Sequence, residues 1–220
     1  MKKQFGLFFL LFASATIISC GNSGAGKSEP EDAANSVAQT DTTTNSDSLQ
    51  VGKETFAKEL QWQGITAKVS VVKDGEGNVL SISFPAGLSA NNGVQDIEID
   101  GTATNAEIGD LNDDGSPEVL VFTQSEGSGS YGNVYGVSVS DKKSVSVFHF
   151  PATADDAKIS KGYMGHDKFS IEKNRLVQEF PVYKDGDINA KPTGGTRKIV
   201  YKLVDGDAGR AFEVDKVTNP

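Results

Sequence analysis

Two glycine patterns have the spacing of nucleotide sites, and the elements flanking them decide whether that chemistry is available. In "GNSGAGKS", residues 21–28, Gly21 precedes Gly26-Lys27-Ser28 in the G-x-x-x-x-G-K-S order of a phosphate loop. In "GSGSYG", residues 127–132, Gly127, Gly129 and Gly132 spell the dinucleotide pattern G-x-G-x-x-G. Both chemistries need a buried strand leading in and a helix opening after the loop, so that backbone amides and the helix dipole meet the phosphate. Ahead of Gly21 stands "MKKQFGLFFLLFASATIISC", where Lys2 and Lys3 are followed by an apolar run over 5–12 and then small residues. That is a secretory signal, too short for a comfortable membrane span. After Ser28, "EPEDAANSVAQTDTTTNSDS" has no apolar periodicity to make a helix. After Gly132, "NVYGVSVS" alternates like a strand. Neither nucleotide reading stands, and the glycines of 127–132 are those of a hairpin loop needing unusual backbone angles.

Two further groups of residues could do chemistry. In "DLNDDGSPEVLVF", Asp110, Asn112 and Asp114 alternate, Gly115 turns the chain, and Glu118 closes the span. This resembles the calcium hairpins of integrin-type propeller repeats, which come in series; here there is one copy. A calcium ion takes about six to eight oxygens, so the loop would need further ligands from elsewhere. The other reading is a polar turn in which Asp and Asn bond their own backbone. Both stand at this point. For hydrolysis, Ser128 and Ser130 lie outside G-x-S-x-G, the signature of a strained nucleophile turn. His149 falls in the alternating "SVSVFHF", and His166 is next to Asp167, where strand neighbours would point to opposite faces. Nothing marks a Ser-His-Asp triad, and no Cys/His cluster suggests zinc. The chain is not expected to be an enzyme.

The elements that must position these residues are strands. "ITAKVSVVKDGEGNVLSISF" reads as two alternating runs around a Gly/Asp/Asn turn. "VQDIEID", "ATNAEIG", "EVLVFT", "NVYGVSVS", "SVSVFHF", "KFSIEK", "RLVQEFPVY", "RKIVYKLV" and "AFEVDKV" follow at short intervals, separated by Gly, Asp, Asn and Pro. Only "KETFAKEL" and "TADDAKIS" hint at short helices. The expected fold is all-β, an antiparallel β-sandwich with Gly-rich hairpin loops. It occupies residues 53–220, enough chain for a real core. Residues 1–19 read as the signal, and 20–52, rich in Ser, Thr, Asn, Asp and Ala, as a solvated tether. The formal charge is −9, or about −11 once Lys2 and Lys3 are removed with the signal. That excess of acid argues against nucleic acid and for a basic partner.

The stretch "SEGSGSYGNVYG", residues 125–136, combines a Gly-rich tip, small hydroxyls and a Tyr. Such a tip suits insertion into a narrow cleft, with Tyr giving contact area at low entropic cost. An ordinary glycine hairpin whose Tyr covers a sheet edge is the plainer reading. Taken in order, "GDLNDDGSPEVLVF", "GSGSYGNVYG", "GYMGHDKFSIEKNRLVQEFPVY" and "PTGGTRKIVYKL" make roughly residues 55–215 resemble the periplasmic inhibitors of invertebrate-type lysozyme. The joint occurrence of these segments, not any one of them, carries the resemblance. It implies a β-sandwich whose protruding loop bears a Ser-Gly pair followed closely by Tyr. The loop enters the lysozyme cleft, and the Ser hydroxyl meets the catalytic carboxylates. On this sequence the resemblance places those roles at Ser128, Gly129 and Tyr131. A lysozyme hydrolyses glycosides with two carboxyl groups, and one hydroxyl can donate to the ionised member and accept from the protonated one. Lysozymes are commonly basic, and opposite fields speed encounter. The expectation is a lysozyme inhibitor that protects the cell wall and requires no cofactor. The alternative is a calcium-stabilised cell-surface binding module for glycan or protein, with Asp110, Asn112, Asp114 and Glu118 as its ligands.

Ile17-Ile18-Ser19-Cys20 resembles a bacterial lipobox, in which the Cys becomes the lipidated N-terminus. Cys20 is the single Cys of the chain, so an internal disulfide framework is excluded. Several acyl chains, at about 0.8 kcal/mol per buried methylene, hold a protein firmly on a membrane. Gly21 rather than Asp after the Cys resembles lipoproteins sorted to the outer membrane, facing the periplasm or the cell surface. The tether and lipobox depart from the soluble periplasmic inhibitors. Mass spectrometry of the membrane-extracted protein is expected to find acyl groups on Cys20, and Cys20→Ser to remove them. An unmodified Cys20 in the wild type would contradict the anchor.

Overall fold

The computed structural model describes residues 52–88, 93–206 and 209–220. The expected signal, Cys20 and nearly all of the expected tether lie outside the described residues. Twelve strands run in chain order: β1 Lys53–Trp62, β2 Ile65–Asp74, β3 Gly77–Ala86, β4 Gly93–Ile99, β5 Thr102–Gly109, β6 Glu118–Gln124, β7 Gly132–Ser140, β8 Ser144–Val147, β9 Lys168–Glu172, β10 Arg175–Pro181, β11 Thr196–Gly206 and β12 Gly209–Thr218. They form three antiparallel sheets, each a meander of four consecutive strands: β1–β4, β5–β8 and β9–β12. The all-β sandwich expected from the strand spacing is the architecture found.

β6 explains how the sheets stack. "EVLVFT" is buried at every position, where a strand with one wet face would alternate. Val119 and Val121 enter one core with Val69, Val71, Leu80 and Ile82 of the first sheet. Leu120 and Phe122 enter a second core with Leu176, Phe180, Ile199 and Tyr201 of the third. The middle sheet is therefore covered on both faces. The second core is richly aromatic: Phe150 meets Phe169, Tyr201 and Phe212 edge-on at centroid distances of 5.6, 5.2 and 6.1 Å.

The sequence hairpin "ITAKVSVVKDGEGNVLSISF" is β2 and β3, joined by a tight turn that pairs Asp74 with Gly77. The expectation of a helix at "KETFAKEL" is corrected. This segment is β1, paired with β2 from Lys53↔Lys73 to Trp62↔Ile65. Leu60 is buried in the first core, and Phe56 and Trp62 pack against it. Good helix formers gave way to a waiting edge, because tertiary pairing outweighs a propensity difference of a few tenths of a kcal/mol per residue, roughly. "TADDAKIS" retains one turn of 3-10 helix, Thr153–Asp155.

Candidate functional site

The loop 125–131 joins β6 to β7, whose last pairing is Gln124↔Gly132. Its neck is closed twice: Ser125 N donates to Tyr131 O at 2.8 Å, and Tyr131 N donates to Ser125 Oγ at 2.9 Å. Ser128 is exposed at the tip, and no hydrogen-bond partner for its hydroxyl occurs among the described residues. Tyr131 is 48% exposed. Ser128, Gly129 and Tyr131 thus all lie on the loop between β6 and β7.

Gly129 has a steric reason. A Cβ there would lie 2.4 Å from Tyr131 Cε2 and 2.9 Å from its Cδ2. That ring meets Tyr163 edge-on at 5.6 Å, and Tyr163 in turn meets Phe180 at 4.7 Å. A residue with a side chain at 129 would displace the Tyr, so Gly129 and Tyr131 depend on each other.

Two other loops brace this one. From 162–167, His166 N donates to Gly129 O at 2.8 Å and Ser130 O at 3.1 Å. Gly165, at φ +82°, lets the two backbones touch, since a Cβ there would fall 2.1 Å from Gly129 O. From 183–193, Asn189 Nδ2 donates to Ser128 O, and His166 Nε2 lies 3.0 Å from Asn189 Oδ1. That second loop is itself fixed. Asp187 accepts from Lys184 N at 2.7 Å and from Thr193 N at 2.8 Å, bonds that hold its carboxyl below the usual range. Tyr183 Oη donates to Asn189 O at 2.8 Å.

Beneath the loop, Asp167 is the deepest brace. It is 3% exposed, and its Oδ2 accepts from Gly132 N and from Tyr163 Oη, each at 2.7 Å. Its Oδ1 accepts from Gln178 Nε2 at 2.6 Å. Burial pushes the Asp167 carboxyl up, against the pull of those three donors. Burial, then the neighbouring Asp167 charge, pushes the Tyr163 phenol up as well. Gln178 accepts from Tyr201 Oη at 2.6 Å and exchanges bonds with Thr153.

His166 and Asp167 were read from sequence as strand neighbours with opposed side chains. They lie just before β9 rather than in a strand, with His166 at φ +61°, and their side chains do diverge, to Asn189 and to Gly132, Tyr163 and Gln178 respectively. Among the described residues no Ser-His-Asp chain is assembled. His149 is exposed and forms a bridge to Ala211. The supports Asn189, Tyr163, Gln178 and Gly165 were not singled out from sequence, because none sits in a recognisable local pattern with the loop it holds.

The Asp-rich loop lies elsewhere in the fold, between β5 and β6. Asp110 accepts from Asp114 N at 3.1 Å and Gly115 N at 2.9 Å, and Asp114 Oδ1 accepts from Ser116 N at 2.8 Å. Glu118, the last of the four, is fully buried; Leu111 N donates to its Oε2 at 2.8 Å and Ser138 Oγ to its Oε1 at 2.6 Å. Between them sits Arg210 of β12, 2.6 Å from Asp114 Oδ2 and 3.3 Å from Glu118 Oε1. A guanidinium therefore neutralises the carboxylates, and their other oxygens cap amides. Among the described residues no group of three or more His, Cys, Asp or Glu is placed to hold a metal. The donor set fits the backbone-bonded turn better than a divalent ion.

No protein-family model matches the chain, and neither the curated proteins nor the solved structures give a significant match.

Two outcomes follow for the Asp-rich loop. Melting curves in calcium and in chelator should superimpose, whereas Arg210→Ala should lower the melting temperature by removing the cation that Asp114 and Glu118 share. A calcium-dependent rise in melting temperature would restore the ion. Separately, burial pushes the Glu118 carboxyl up to about 7 from 4.5, despite Ser138, Leu111 N and Arg210. Between those values the folded chain holds a proton that the unfolded chain has released. Glu118 therefore contributes a loss of stability as pH rises from about 4.5 to 7, on the order of 3 kcal/mol. Denaturant titrations across that window should show Glu118→Gln flattening the profile; an unchanged slope would contradict it.

Proposed function

We propose that this chain is a lipid-anchored protein inhibitor of lysozyme, of the invertebrate type, that inserts the 125–131 loop into the enzyme's active-site cleft. The observation that carries the proposal is Ser128. It is an exposed hydroxyl at the tip of a loop whose backbone is held by two neighbouring loops. A loop fixed before binding loses little conformational entropy in the cleft, which is where affinity at a small contact is usually lost. Its hydroxyl is free to donate to one carboxyl group and accept from the other. Tyr131, alongside, supplies a rigid amphipathic anchor. The acidic chain favours a basic enzyme as partner. The proposed anchor at Cys20 would keep the inhibitor at the outer membrane, beside the cell wall it protects. The inhibitor itself carries out no reaction and needs no cofactor.

The test is to titrate the full-length protein into invertebrate-, chicken- and goose-type lysozymes while following lysis of cell walls. Stoichiometric inhibition of the invertebrate type is expected. Ser128→Ala removes a hydrogen bond to a charged group, about 1.5–3 kcal/mol, and should weaken inhibition roughly ten- to a hundredfold. Tyr131→Ala should cost about 2 kcal/mol or more. Ser128→Ala should melt like the wild type, since it changes an exposed loop tip, whereas Tyr131→Ala also removes the edge-on contact with Tyr163 and should melt somewhat lower. If all three lysozymes lyse walls unhindered, or if both variants inhibit as well as wild type, the proposal fails.

A further inference from the structure

The described residues include four large hydrophobic side chains left exposed: Tyr131 at 48%, Val147 at 47%, Met164 at 41% and Ile188 at 66%. Scattered singly, such residues are ordinary. Three of the four lie on three loops that hydrogen-bond to one another. Tyr131 is on the 125–131 loop, and Met164 and Ile188 are on the two loops that brace it. Met164 lies between Tyr163, whose ring meets Tyr131, and Gly165, whose backbone touches Gly129. Ile188 precedes Asn189, which donates to Ser128 O.

Neither apolar side chain serves the fold in the way the core residues do. The turn that presents Ile188 is closed by Lys191 N donating to Ile188 O at 2.9 Å, and its base is capped by Asp187. Met164 sits on a segment joined to the rest through the Tyr163↔Val182 bridge and Tyr183 N donating to Gly162 O at 2.8 Å. Both loops therefore hold large apolar groups in water, on backbones bonded to the loop that carries Ser128.

We infer that Met164 and Ile188, with Tyr131, form an apolar collar around Ser128 that seats on the cleft walls of the lysozyme; this rests on the inhibitor reading above and adds two loops to its contact surface. The chemistry of the partner fits. A glycoside-hydrolase cleft has carboxyl groups at the scissile bond, and binding clefts are lined mainly by apolar and aromatic side chains that hold the substrate. A polar tip meets the first and an apolar collar the second. The collar also excludes water from around the Ser128 hydrogen bond, as the near-neutral ring around a hot spot does. Met, unbranched and polarisable, adapts to a wall shaped for sugar rings. The net negative charge of the chain selects among cleft enzymes for a basic one.

The experiment measures inhibition and surface-binding kinetics of the full-length protein against invertebrate-type lysozyme. Met164→Ala and Ile188→Ala should each weaken inhibition roughly three- to tenfold, and the pair about ten- to a hundredfold, through faster dissociation with association nearly unchanged. Met164→Gln keeps the length of the side chain but not its apolar end, and should lose as much as Met164→Ala. Val147→Ala, on β8 outside the three loops, should change nothing, and all variants should melt like wild type. If the Met164 and Ile188 variants inhibit as well as wild type while Ser128→Ala is weakened, the collar is overturned and the inhibitor reading stands. If Met164→Gln retains full inhibition, Met164 is no apolar contact and the collar is likewise overturned. If the wild type inhibits no lysozyme, both readings fail together.

Discussion

The carboxylate of Asp167 is the interaction on which the 125–131 loop depends. Its oxygens take an amide from the root of the loop at Gly132, a hydroxyl from Tyr163 beneath the loop, and an amide hydrogen from Gln178 of β10. A buried carboxylate is tolerated only when its lone pairs are satisfied. The requirement is reciprocal, so the three donors are fixed by the group they satisfy. An Asn at 167 could still accept from Gly132 and Tyr163, but its amide would face that of Gln178. Gln178 cannot turn over without abandoning the Tyr201 hydroxyl that it accepts. From Asp167 the order spreads upward: Tyr163 packs on Tyr131, Tyr131 requires Gly129, and His166 and Asn189 hold the carbonyls of Gly129 and Ser128.

A second, partly buried network does comparable work elsewhere in the fold. Arg210, at the start of β12, reaches Asp114 after β5, Glu118 at the start of β6 and Ser138 of β7. It thereby ties the third sheet to the middle one across a turn with the residue pattern of a cation loop. The two networks differ in kind. Glu118 has a cation beside it, whereas Asp167 is satisfied by neutral donors. In both, burial is the first cause of the upward shift of the carboxyl.

Strands were legible because their cause is local. Alternation and turn residues mark each run, and every strand but β1 could be placed from them. β1 was missed because Lys53, Glu54, Ala57, Lys58 and Glu59 suit a helix, and only the presence of β2 makes a strand of them. The double burial of β6 was half visible in the unbroken "VLVF", but which sheets cover it was not. The loop tip Ser128, Gly129 and Tyr131 was reached through resemblance of ordered segments. Its supports were hidden for a plain reason: Asn189 and Ser128, or Asp167 and Gly132, are far apart in the chain, and nothing in either segment names its partner. The same holds for Arg210, which sits 96 residues from Asp114 and decides how the Asp-rich loop is neutralised.

The central claim is that a preformed polar tip occupies the place of the glycan in a lysozyme cleft. The most direct measurement is binding of this protein to invertebrate-type lysozyme in the presence of a saturating, slowly cleaved chito-oligosaccharide. Two ligands for one cleft must exclude each other, so apparent affinity should fall in proportion to oligosaccharide occupancy. A ternary complex formed with undiminished affinity would place the contact outside the cleft and contradict the account.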